Sequence, residues 1–124
     1  MPEWDELLDW IRECTGRVGL SHWTIEVLLK NEAGSYAEVV ALEGSEIAEL
    51  TIQTDAFSSL SRSQQRRVLA HEFGHVLLAN LLYAVGRIPG VSAFESVITS
   101  VEELTVDRLA GTIAKTLPLP PIGE

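Results

Sequence analysis

Leu69-Ala70-His71-Glu72-Phe73-Gly74-His75-Val76-Leu77-Leu78 is the stretch on which this chain turns. His71 and His75 stand four apart, with a glutamate directly after the first, in the pattern H-E-x-x-H. On an α-helix, positions i and i+4 share a face, so two imidazoles at that spacing reach one metal ion. Glu72 lies about 100° further round, placed to hold a water at that metal. The chemistry needs a helix, and the flanks predict one. Ser61-Arg62-Ser63-Gln64 has the form of a capping box, with Ser61 as N-cap and Gln64 three residues on. From Ser61 to Tyr83 there is no proline and one glycine, Gly74, so a long helix should end near Gly86. Val68, Leu69, Phe73, Val76, Leu77, Leu78, Leu81 and Leu82 make it apolar nearly all round, which predicts a central, buried helix held between a sheet and the last helix.

Upstream, residues 2–14 carry Trp4, Leu7, Leu8 and Ile11 at helical spacing, with proline at a first helical position. Residues 16–19, bounded by glycines, break that helix. Residues 22–30 alternate, with Trp23, Ile25, Val27 and Leu29 on one face, as in a half-buried strand. After a turn at 31–35, residues 36–42 read as a second strand, expected antiparallel to the first. Residues 43–45 turn again. Residues 46–54 form a third strand, with Ala48, Leu50 and Ile52 on one side and Glu49, Thr51 and Gln53 on the other. Residues 55–60 connect to the motif helix. Downstream, residues 86–90 form a loop bounded by glycines. A final helix over 92–116 runs through Val97, Val101, Leu104 and Leu109, and prolines at 118, 120 and 121 stop it in a Pro-rich tail, 118–124. The expectation is one α+β domain over residues 1–124. It has an N-terminal helix, a small three-stranded antiparallel or mixed sheet, the motif helix and a C-terminal glutamate helix.

The chain has 124 residues, 46% of them hydrophobic, and a net charge of −9. That balance argues against nucleic acid as partner, because phosphate binding needs clustered Lys and Arg. Arg62, Arg66 and Arg67 read as a solvated first turn of the motif helix. Cys14 is the lone cysteine, so no intramolecular disulfide forms, in keeping with a reducing compartment. It reads as a buried thiol on the first helix, and His22 as a turn or surface residue. The acidic N-terminus has no signal-peptide pattern. The longest apolar run, 76–85, is broken by Asn80 and is too short to span a bilayer. The expectation is a cytoplasmic protein with no membrane partner.

Two histidines do not complete a catalytic zinc site, which usually has three protein ligands and one open position. Leu81 stands six residues after His75, where the metzincin pattern has a histidine, so that class is excluded. The last helix offers carboxylates in Ser100-Val101-Glu102-Glu103-Leu104-Thr105-Val106-Asp107. Glu103 and Asp107 share a face with Ser100, Ala110, Gly111 and Ala114, a small acidic face able to approach another helix closely. One carboxylate can bind the metal while the other accepts the second N–H of a ligating histidine. Glu103 is favoured as the ligand, because it alone has a carboxylate one turn on. Glu102 falls in the apolar arc of Ile98, Val106, Leu109 and Ile113 and stays the alternative.

The H-E-x-x-H motif followed by E-x-x-x-D on a later helix resembles the gluzincin metallopeptidases. The resemblance implies that His71, His75 and Glu103 bind Zn2+, that Glu72 is the general base activating a zinc-bound water, and that Asp107 supports a histidine from outside the ligand set. A closer resemblance is to the small ImmA/IrrE-like peptidase domain of bacteria and phages. Ala70 to Leu78 fits its A-H-E-[FL]-G-H helix. Glu103, Val106, Leu109 and Ala110 fit its E-x-x-A-x-x-F-A segment loosely, with valine and leucine for alanine and phenylalanine. Pro118 fits its closing proline, and no helix-turn-helix is attached. The match spans about residues 46–118. Residues 105–111 also resemble the aspzincin pattern, with Leu104 where glycine is usual; there Asp107 would be the ligand. The implied function is a zinc metalloendopeptidase acting on a cytoplasmic protein or peptide substrate, with a regulator as a further partner. Tyr36 and Tyr83 are the candidate oxyanion donors, and the third strand is the candidate edge for an extended peptide. The alternative is a metal-containing sensor or partner-binding module that docks a basic partner. The intact Glu72 favours catalysis, since a structural zinc site needs no base.

Overall fold

The computed structural model describes residues 2–32, 34–42 and 44–122. The order is α1 (Pro2–Arg17), β1 (Thr24–Lys30), β2 (Ala37–Ala41), β3 (Ile47–Gln53), α2 (Thr54–Ser58), α3 (Arg62–Gly86), a 3-10 turn at Val91–Phe94, and α4 (Glu95–Thr116). The α+β architecture is the expected one. α1 runs through Gly16, and the break comes at Gly19, whose φ of 85° no ordinary side chain favours. The short α2 falls where only a connection was expected.

The sheet is mixed, and β2 runs antiparallel to β1 as expected, but the two strands do not pair with each other. The sheet order is β1-β3-β2, with β3 central, parallel to β1 and antiparallel to β2. The reason is burial. Ala48, Leu50 and Ile52 of β3 are all at most 1% exposed, whereas β1 leaves Leu28 and Leu29 in solvent. The strand with most to bury takes the middle, and the two flanking strands pair with it. β2 is therefore the free edge nearest the motif helix, and β3 offers none.

α3 starts as its sequence predicts. Ser61 Oγ accepts the Gln64 N–H at 3.1 Å, and Gln64 Oε1 accepts the Ser61 N–H at 2.9 Å. Its first half is core: Leu69, Ala70, Phe73 and Val76 are at most 2% exposed. Each such large side chain contributes about 1.5–3 kcal/mol by leaving water. The second half is not buried all round as expected, since Leu77 and Leu81 face solvent. By length and composition, α3 is apolar enough to cross a membrane, with a mean hydropathy of 1.4 over its best window. Here its buried face packs against β2 and α4.

Large side chains fasten the other elements. The Trp10 ring stacks 6.4 Å from Phe73, and Trp4 lies 6.3 Å from Phe57. Trp10 Nε1 donates to Pro118 O, and Arg66 donates to Leu117 O. The residues of the Pro-rich tail up to Ile122 are thus fixed beside α1 and the head of α3, with Pro120 and Ile122 buried.

α4 packs on α3 through Val106, Ala110, Ile113 and Ala114, while Val97, Val101 and Leu104 of the expected apolar run are exposed. The helices meet at Gly74, where an added Cβ would stand 3.1 Å from Val106 Cγ1. Gly74→Ala should therefore lower the melting temperature. Overpacking costs about 1–3 kcal/mol, and the gain in helix propensity returns about 1 kcal/mol. An unchanged or raised melting temperature would show that Val106 moves aside freely. Burial, with help from Glu13, pushes the Cys14 thiol up to about 11 from 9.0, against an opposing effect of Arg17. Iodoacetamide at pH 8 should alkylate it about a hundredfold more slowly in the native state than in denaturant. Equal rates would mean that α1 opens readily.

Candidate metal centre and cleft

α3 brings His71, Glu72 and His75 together beside edge strand β2. Their ligand atoms all lie within 4.8 Å of one another, a group that can hold a metal ion. The H-E-x-x-H spacing thus falls on a helix, as its chemistry requires.

The orientation of the imidazoles comes from α4. His71 Nδ1 lies 3.1 Å from Asp107 Oδ1, and His75 Nδ1 lies 2.8 Å from Glu102 Oε2. A carboxylate is acceptor-only, so in a neutral imidazole that donates to it Nδ1 carries the hydrogen and Nε2 keeps a lone pair. The two Nε2 atoms then face each other at 3.2 Å. Two lone pairs at that distance repel unless a cation sits between them. Glu103 stands opposite, Oε1 3.5 Å from His75 Nε2 and Oε2 3.7 Å from His71 Nε2. For a tetrahedral ion with metal–nitrogen bonds of about 2.0–2.1 Å, ligand atoms stand about 3.3–3.4 Å apart. The three residues are already near that spacing.

Glu102 sits where its sequence position was puzzling, on the packing arc with Val106. It meets His75 at Nδ1, on the side of the ring away from the Nε2 atoms. Asp107 likewise meets His71 at Nδ1.

Arg67 is exposed, as expected, and its Nη2 also donates to Asp107 O at 2.9 Å. Gly111 leaves room for it, as a Cβ there would stand 3.0 Å from Arg67 Nη1. This clamp holds the stretch of α4 that carries Asp107.

Glu72 is 8% exposed. Its Oε1 accepts the Val39 N–H at 2.9 Å. Burial pushes its carboxyl up to about 7 from 4.5. The Val39 N–H and His75 oppose that rise, and Glu38 and Glu103 add to it. No sequence pattern singled out Val39, because its contribution is a backbone N–H made available by strand order. In the β2–β3 ladder, Tyr36 O accepts from Gln53 N and Leu42 N donates to Ile47 O. The alternation of an antiparallel pair then turns Ala37, Val39 and Ala41 outward along the free edge.

A cleft of about 480 Å3 opens on the His75 side of Glu72, bounded by Val39, Leu42, Leu82 and Tyr83. A hollow of about 310 Å3 lies on the His71 side, bounded by Tyr36, Arg67, Val68 and Asp107. Glu72 borders both. Tyr83 packs against Gly44 at the far end, two helical turns beyond His75, while Tyr36 adjoins His71 and Glu72. The tail residues up to Ile122 line neither space. His22 pairs with Glu46 at 3.2 Å on the surface and takes no part in the site.

Calorimetric titration with Zn2+ tests these roles. Glu102→Ala and Asp107→Ala should each weaken binding about 10–100-fold by freeing an imidazole. Glu103→Ala should weaken it most. Parent-like affinity in Glu103→Ala would remove that residue from the ligand set.

The chain matches no family model, no curated protein and no solved structure. The chemistry of the site therefore rests on its own side-chain geometry.

Proposed function

We propose that the protein is a zinc-dependent metallopeptidase of the gluzincin type, similar to the ImmA/IrrE-like domains, that hydrolyses peptide bonds in a cytoplasmic protein substrate. The observation that carries this reading is the pair of Nε2 atoms 3.2 Å apart, faced by the Glu103 carboxylate. His71, His75 and Glu103 would hold the zinc. Two imidazoles and a carboxylate beside an open cleft are the donor set of a catalytic site; structural sites more often use cysteines and close all four positions.

When bound, zinc supplies a Lewis acid that polarises the peptide carbonyl and the attacking water. The residues of the chain supply the rest. The Val39 N–H fixes Glu72 Oε1, leaving Oε2 to take the proton of the water and return it to the leaving nitrogen. Glu102 and Asp107 keep both imidazoles in the tautomer that presents Nε2. An extended peptide would add to the outward edge of β2, not to β3, and so pass directly over Glu72. Of the two tyrosines, Tyr36 is the better placed donor for the developing oxyanion, because it borders the same hollow as His71.

A metal-containing partner-binding module is the second reading. The exposed stripe of Phe94, Val97, Val101 and Leu104, each more than half exposed, favours it, as a surface suited to a partner. Glu72→Gln separates the two. It should keep the metal and lose peptide hydrolysis by about 10²–10⁴-fold. Parent-like cleavage in Glu72→Gln would sink the mechanism.

A further inference from the structure

The cleft beside His75 has a one-sided charge. Glu38, Glu72, Glu102 and Glu103 border it, and no Lys or Arg does among the described residues. Three of these carboxylates have partners in the fold: Glu72 the Val39 N–H, Glu102 and Glu103 the imidazoles. Glu38 has none among the described residues. It lies on the exposed side of β2, next to the residue whose N–H holds Glu72, and borders the cleft. Arg87 lies over the Tyr83 ring, 5.6 Å from its centroid, and is not among the residues that border the cleft.

The same walls carry Ala41, Leu42 and Leu82. Such a surface covers the methylene stem of a long cationic side chain while its head reaches a carboxylate. Glutamate and aspartate side chains would meet only like charge there. A divalent ion held with Glu103 would carry a net +1, which the Glu38 and Glu102 carboxylates outweigh. The whole chain, at −9, adds to that negative charge.

We propose that this cleft selects peptides carrying a lysine or arginine beside the scissile bond, with Glu38 as the residue that reads the charge. The inference rests on the peptidase reading, and it names the substrate class for that site.

The test uses paired peptides that differ at one position, lysine against norleucine and against glutamate, scanned across the positions flanking the cut. Binding is measured by calorimetry to zinc-loaded Glu72→Gln protein, where turnover does not intrude. At one or more positions, lysine should bind about fivefold tighter than norleucine, the scale of a partly exposed ion pair, and glutamate weaker than either. The preference should shrink in 0.5 M NaCl, because the pair is screened. Glu38→Gln should narrow it and Glu38→Lys invert it. Glu13→Gln, which alters a carboxylate on α1 paired with Arg17, should leave it intact. Equal binding of all three peptides at every position would overturn the inference, as would a lysine preference untouched by both Glu38 variants. Hydrolysis by the parent protein is scored separately. Lysine preference without any hydrolysis would sink the peptidase reading alone, and hydrolysis without preference would sink this inference alone.

Discussion

The approach of α4 onto α3 at Gly74 is the constraint on which the rest of the site depends. Gly74 lies between the two motif histidines, and Val106 lies between Glu103 and Asp107. The helix contact therefore sits in the middle of the chemistry. A side chain at position 74 would meet Val106 at 3.1 Å, tight enough that Val106 must give way. With the contact made, Glu102, Glu103 and Asp107 come within reach of the imidazoles. The Arg67 clamp over Gly111 holds the same two helices together one turn further along. The absent side chain at 74 thus allows the close approach at which His71, His75, Glu102, Glu103 and Asp107 meet.

The sheet makes a second, separate contribution. Because β3 takes the centre, β2 is left at the edge beside α3, with every other N–H turned outward. One of those donors holds Glu72 Oε1. A buried carboxylate with no donor would be costly. With one, it stays in place with its other oxygen unengaged by the fold. The same edge is open to an extended chain on either side of Val39. Strand order thus bears on both the putting in place of Glu72 and the path a peptide would take.

Much of this was legible beforehand, for reasons that are local. The capping box at Ser61 and the glycine-poor stretch after it predict α3 from neighbouring residues alone, and a helix fixes the spacing of His71 and His75. The small acidic face of α4 was legible for the same reason, since i and i+4 must share a side. Glu102 was half legible. Its place on an apolar arc showed that it needed a partner, and two candidate roles remained until the facing helix was in view. The exposure of Val97, Val101 and Leu104 was not legible, because an apolar residue at helical spacing shows a stripe without saying what covers it.

The sequence by itself determined the three long helices and the three strands, the helical presentation of His71, Glu72 and His75, and the carboxylates able to face them. All of these follow from periodicities within a single segment. Only the tertiary structure decided the β1-β3-β2 order, the Val39 donor to Glu72, and which nitrogen of His75 each of Glu102 and Glu103 faces. These depend on which segments compete for the same buried space, and that competition is settled by packing between residues far apart in the chain.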